Sequence, residues 1–161
     1  MRSNGRPLAA DIVLGAAAGA AATWAMDAVT TLLYEREPEQ VKKRENKARG
    51  SKTPSEKIAE KLSDSKAQRK RIGSAIHWSI GVNSGAFYGL LRNRSRYVGL
   101  GSGLAYGLAM YLALDEGLLT VTKLSPPPGA FPWQAHARGL AGHLVLGAIL
   151  DGVFDVADLI V

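Results

Sequence analysis

His77 and His143 lie in apolar stretches that contain no lysine or arginine. Seven acids share those stretches: Asp11, Asp27, Asp115, Glu116, Asp151, Asp155 and Asp158. A carboxylate in an apolar medium must be protonated, face water or bind a cation, because burying the bare charge is too costly. Asp27 and Asp115 each lie about seven residues before the end of their stretches, and His77 and His143 about five residues into theirs. At about 1.5 Å per residue this brings all four roughly 7–11 Å below one membrane face, with Glu116 beside Asp115. Three chemistries are open to such a set. Imidazole and carboxylate ligands between helices suit a transition metal, although neither His-x3-His nor Glu-x2-His occurs here. A proton or cation pathway is the second, since His143, Gly147, Asp151, Asp155 and Asp158 fall on one helix face and Asp11 extends the acids toward the opposite end. The third is structural, with His–Asp hydrogen bonds between helices contributing about 1 kcal/mol each.

The elements that must position these residues are long and apolar. The stretches end near residues 34, 91, 122 and 161 and begin near 8, 72, 97 and 139. About 20 apolar residues cross a hydrocarbon core of about 30 Å, so four transmembrane helices are expected, at 8–34, 72–91, 97–122 and 139–161. The first is too long for the apolar core of a signal peptide. With 161 residues the chain has room for one domain, and it has no cysteine, which excludes disulfides, thiolate metal sites and cysteine nucleophiles.

Charge is concentrated rather than spread. Of the 20 Lys and Arg residues, 13 lie between Glu35 and Arg71, interleaved with seven acids. Thr53-Pro54-Ser55-Glu56 reads as an N-cap, a first-turn proline and a capping-box glutamate, so a surface helix is expected over 54–70. Arg69, Lys70 and Arg71 would then contact the membrane surface, as would Arg92, Arg94 and Arg96 at the other end. The interleaved acids and the lack of aromatic partners argue against nucleic acid. By the positive-inside rule the long basic loop is cytoplasmic, although the Arg92–Arg96 turn argues the other way. Residues 123–138, with Pro126-Pro127-Pro128-Gly129 and Trp133, read as an interfacial loop.

Glycines recur at helical spacing: Gly15 and Gly19; Gly81, Gly85 and Gly89; Gly99, Gly103 and Gly107; and Gly147. Such small-residue stripes let helix backbones approach closely in lipid. They also align into a repeat. Gly15, Gly19, Thr23 and Asp27 match Gly103, Gly107, Tyr111 and Asp115. Gly73, His77 and Gly81 match Gly139, His143 and Gly147. The expected fold is therefore an all-α integral membrane protein of two similar helical hairpins in a parallel repeat.

His77-Trp78-Ser79, Phe87-Tyr88-Gly89, the glycines from Gly99 to Gly107, Pro126-Pro127-Pro128, Phe131-Pro132-Trp133 and Gly142-His143 follow one another between Gly73 and Asp151. This succession resembles the YagU-type bacterial inner-membrane proteins, a family of unknown function. The resemblance implies a small multi-span inner-membrane protein linked to acid stress and supplies no catalytic residues. No enzyme signature occurs: there is no nucleophile elbow, phosphate loop or dinucleotide fingerprint, and Gly99-x-Gly101-x-Gly103 follows no strand. The expected role is a structural or accessory subunit in the lipid bilayer, packing through its glycine faces in a homo-oligomer or with a membrane-protein partner. The alternative is a metal-, proton- or cation-handling bundle using Asp27, His77, Asp115, Glu116 and His143.

Overall fold

A computed structural model describes residues 6–95 and 97–160. Its helices are α1 (Leu8–Glu35), α2 (Glu39–Arg49), α3 (Pro54–Glu60), α4 (Lys66–Arg92), α5 (Leu104–Val121) and α6 (Trp133–Ile160). Central in the bundle, α1 packs on α4 and α6, and α5 packs on α6. Three of these helices, α1, α5 and α6, are long and apolar enough to cross a membrane. The fourth expected span, 72–91, lies inside α4, whose basic first turns and polar His77, Ser79, Asn83 and Ser84 set it apart from the other three.

The local sequence explains where the elements start and stop. Gly101, Ser102 and Gly103 all take positive φ, at 60°, 56° and 80°. A right-handed helix cannot pass through three left-handed residues. The expected span at 97–122 therefore begins at Leu104, after a turn. At the other junction α6 begins at Trp133 rather than Gly139 and so includes His136 and Arg138. The helix expected over 54–70 is two helices. Thr53 and Glu56 form the capping box that starts α3. The chain then breaks after Glu60 and restarts at Lys66.

Backbones meet where glycines face each other. A Cβ built on Gly15 would collide with the Gly85 carbonyl oxygen, and one on Gly89 with that of Asp11. One on Gly19 would lie 3.0 Å from the Gly85 Cα, and Gly81 presses on the Thr23 side chain. Across the α5–α6 crossing, Gly103 meets Gly147, and Gly107 meets the His143 carbonyl. Gly99 lies in the turn before α5, where a Cβ would approach Asp151 Oδ1 to 3.1 Å. Between the crossings sits an aromatic core. Tyr88 makes edge-to-face contacts with Tyr106 (4.9 Å between centroids) and Phe154 (5.6 Å), backed by Leu146, Leu150, Ala18 and Ala22. Val13, Trp24, Phe87, Leu112 and Val156 point outward, as expected for side chains that meet lipid.

Candidate functional site

The polar residues separate into two groups at opposite ends of the bundle. At the end where α1 starts and α6 finishes, acids pair with arginines. Arg6 contacts Asp11 at 2.9 Å and Asp158 at 2.6 Å. Arg92 contacts Asp151 and Asp155, both at 2.7 Å. Asn93 donates to Asp11, and the Tyr88 hydroxyl donates to Asp151. Asp11, Arg92 and Asp151 are buried. The Arg92 guanidinium, expected to contact the membrane surface, is buried in the protein and drawn inward by two carboxylates. Along α6, buried Leu146, Leu150 and Phe154 pack beside the acid stripe. Arg94 is exposed and folds back on the Leu90 carbonyl. Arg96 lies outside the described residues.

At the opposite end a chamber of about 750 Å³ opens between the helices. Asp27, His77, Asp115, Glu116 and His143 all line it, together with His136. They form three carboxylate–imidazole pairs. His77 Nε2 lies 2.9 and 3.1 Å from the two Asp27 oxygens. His136 Nδ1 lies 2.6 Å from Glu116. His143 Nδ1 lies 3.8 Å from Asp115 Oδ2. Among the described residues no group of three or more His, Asp or Glu side chains is placed to hold a metal ion. The five expected residues thus share a chamber without forming the metal cage that was one reading of them.

Hydrogen bonding defines two of the imidazoles. Both ring nitrogens of His136 face acceptors, Glu116 on one side and the Pro128 carbonyl at 3.0 Å on the other. A carbonyl can only accept, so Nε2 carries a hydrogen, and Nδ1 is turned to Glu116. The Tyr111 hydroxyl donates to the same carboxylate. In His143, Nδ1 donates to the Gly139 carbonyl at 2.9 Å. The neutral ring therefore carries its lone pair on Nε2.

A π-helical segment, Tyr111–Leu118, sets the spacing on α5. Its wider turn brings Tyr111 and Glu116, five apart, onto one face, and it presents the adjacent Asp115 and Glu116 to the same chamber. Such segments are frequent at functional sites.

The charged loop roofs this chamber. Glu45 and Arg49 of α2 and Thr53 and Pro54 at the start of α3 line it. Arg138 of α6 is the anchor. It donates to Glu37 and, at 2.6 Å, to both oxygens of buried Glu45, while its guanidinium lies 4.9 Å from the Tyr34 ring centroid. Arg49 joins Glu45 at 2.7 Å, and Lys57 donates to the Leu124 carbonyl. Arg69 turns to the Ser63 carbonyl (2.7 Å) and to Glu60 (3.4 Å) rather than away from the protein, whereas Lys70 and Arg71 are exposed.

Sequence reasoning missed His136, Arg138, Glu45 and Tyr111. His136 and Arg138 fell in residues read as an interfacial loop. The available signal was Pro132, immediately before the first helical residue, from which helical spacing runs unbroken into the apolar stretch.

Fold and chamber together define a small all-helical protein of membrane type, with a polar chamber at its loop-bearing end. The chain belongs to a family of proteins of unknown function, DUF1440, whose model matches residues 32–151. The YagU-type resemblance is consistent with this family. No curated protein and no solved structure matches it.

Proposed function

We propose that this is a four-span inner-membrane protein that handles protons or cations at the carboxylate–imidazole chamber. The observation that carries the reading is the convergence on one cavity of two hydrogen-bonded carboxylate–imidazole pairs and a third, looser one. A carboxylate beside an imidazole shares or trades one proton, and a cation entering beside the carboxylate displaces that proton. In this reading α4 is the fourth span. It runs antiparallel to α1 from the Gly89–Asp11 contact to the His77–Asp27 pair. Asp11 to Asp27 covers roughly 24 Å of helix at about 1.5 Å per residue, so α4 shares the depth of α1. The two Asp–His pairs, Asp27–His77 and Asp115–His143, occupy matching places in the two hairpins and support the parallel repeat. The basic loop faces the cytoplasm by the positive-inside rule.

The accessory-subunit reading relied on glycine faces free to meet a partner. Those faces are filled within the chain: Gly15, Gly19, Gly81, Gly85, Gly89, Gly103, Gly107 and Gly147 all press on neighbouring elements of the same molecule. The chamber is therefore the better basis for function. Proteoliposomes loaded with a pH-sensitive dye and given an inside-negative potassium diffusion potential test it. The native protein is expected to admit protons faster than empty liposomes, and His77→Gln/His143→Gln to fall to the empty rate while remaining folded by circular dichroism. Equal rates in all three samples refute proton handling by the chamber.

A further inference from the structure

We infer that the ligand of the chamber is an organic ammonium ion carrying at least one N–H, held by Asp115 and Asp27 and by His143 Nε2. The inference rests on the chamber being the working site and adds the class of molecule that fills it. Size is the first argument. About 750 Å³ lies within the range of small-molecule sites and far exceeds a coordinated metal ion. The lining is the second. Met26, Met110, Leu114, Leu118 and Leu146 supply much of the wall, so the occupant has an apolar body as well as a charge.

Charge and hydrogen bonding are the third argument. Four carboxylates line the chamber, Asp27, Glu45, Asp115 and Glu116, against two guanidiniums, Arg49 and Arg138. Both guanidiniums are engaged by Glu45, and Arg138 by Glu37 as well. Glu116 is engaged by Tyr111 and His136. Asp115, in contrast, is only loosely approached, at 3.8 Å, and its side chain is 40% exposed. His143 is 5% exposed and its Nδ1 is committed to Gly139, which leaves the Nε2 lone pair, across the ring, to accept from an occupant. A primary or secondary ammonium supplies what these groups lack: one positive charge for the carboxylates and an N–H for the imidazole.

Equilibrium dialysis of the purified protein in non-ionic detergent, with empty micelles subtracted, tests this with three probes. Phenethylammonium has charge and N–H, phenethyltrimethylammonium has charge only, and 2-phenylethanol is neutral. Phenethylammonium is expected to bind at least tenfold more tightly than the alcohol and measurably more tightly than the quaternary ion. Asp115→Asn, at a half-exposed position that leaves the fold intact, is expected to cost at least tenfold for both cations and nothing for the alcohol. His143→Gln is expected to remove the preference between the two cations, with circular dichroism confirming its fold. Alcohol binding as tight as ammonium binding, no preference over the quaternary ion, or indifference to Asp115→Asn overturns the inference. Proton entry that depends on the histidines, with no ammonium binding, overturns this inference alone and leaves the chamber reading standing. Ammonium binding at Asp115 without proton entry has the opposite effect, removing proton handling and keeping the ligand class.

Discussion

Gly85→Ala and Gly152→Ala make the same chemical change in long helices and are expected to move stability in opposite directions. In a solvated helix the exchange gains about 1 kcal/mol from propensity. At Gly152 nothing lies within 4 Å of the new methyl group, so that gain has nothing to oppose it. At Gly85 the methyl carbon would collide with the Gly15 carbonyl oxygen and come within 2.5 Å of the Gly19 Cα and 2.7 Å of the Gly19 nitrogen. These are backbone atoms and cannot rotate aside. Ordinary contact begins near 3.4 Å, so α1 and α4 must separate by about 1 Å along a crossing whose contacts are backbone to backbone. Overpacking of this kind costs about 1–3 kcal/mol, and here the lost contact along the crossing places it at the upper end. The expected outcome is Gly85→Ala about 2 kcal/mol less stable than the native protein and Gly152→Ala equal to it or slightly more stable. Unfolding in mixed micelles of increasing sodium dodecyl sulfate fraction, followed by circular dichroism, reads both. A Gly85→Ala protein as stable as the native one refutes the packing argument. So does a Gly152→Ala protein that loses as much stability as Gly85→Ala.

Three further outcomes follow from the ion pairs. Arg92→Leu leaves Asp151 buried without its guanidinium and is expected to cost about 3–5 kcal/mol. In the same unfolding assay Arg92→Leu/Asp151→Asn should recover part of that loss, and strictly additive losses would contradict the pairing. Arg138→Gln removes the anchor of buried Glu45 and of Glu37, so α2 is expected to leave the chamber mouth. Limited trypsin digestion should then cut first between Lys42 and Lys52, at sites that resist cleavage in the native protein; unchanged digestion would count against a docked roof. In the loop, the hydrogen bond and charge of Lys52 hold the Glu60 carboxyl below its ordinary 4.5, outweighing a smaller opposing effect of burial. A depressed carboxyl stabilises the folded loop above that value, and the contribution fades as pH falls through the folded midpoint. Carboxyl NMR should place the Glu60 midpoint below 4.5 and move it upward in Lys52→Gln, with Arg69 retaining part of the depression.

What was legible in the sequence was local. Runs of Ala, Leu and Val announce apolar helices because hydropathy adds up along a window. Glycines four apart announce a close-packing stripe because one helix face is read directly from spacing. The capping box before α3 is legible for the same reason, since its two halves are three residues apart. Pairings between distant residues are not written in any window. Arg6 and Asp158 are separated by 152 positions, Arg138 and Glu45 by 93, and Arg92 and Asp155 by 63. Arg92 looked like a surface residue because it flanked an apolar run, and only the fold reveals the acids it meets. The π-helical segment left one faint mark, the adjacent Asp115 and Glu116, which an α-helix would point about 100° apart.

The two polar ends differ in the chemistry of their cations, and that difference separates structure from response. A guanidinium stays charged at any physiological pH, so Arg6 and Arg92 clamp Asp11, Asp151, Asp155 and Asp158 in one arrangement. The cations of such a cluster keep their charge. An imidazole has a second protonation state. The pairs of Asp27 with His77, Asp115 with His143, and Glu116 with His136 each change net charge when a single proton arrives or leaves. They also surround open volume, whereas the arginine cluster lies beneath a core closed by Tyr88, Leu150 and Phe154. A site that answers to a ligand or a proton needs both a second state and room for an occupant. In this molecule those two requirements meet only at the histidine-bearing end among the described residues, and this is why the histidines rather than the more numerous buried acids carry the functional proposal.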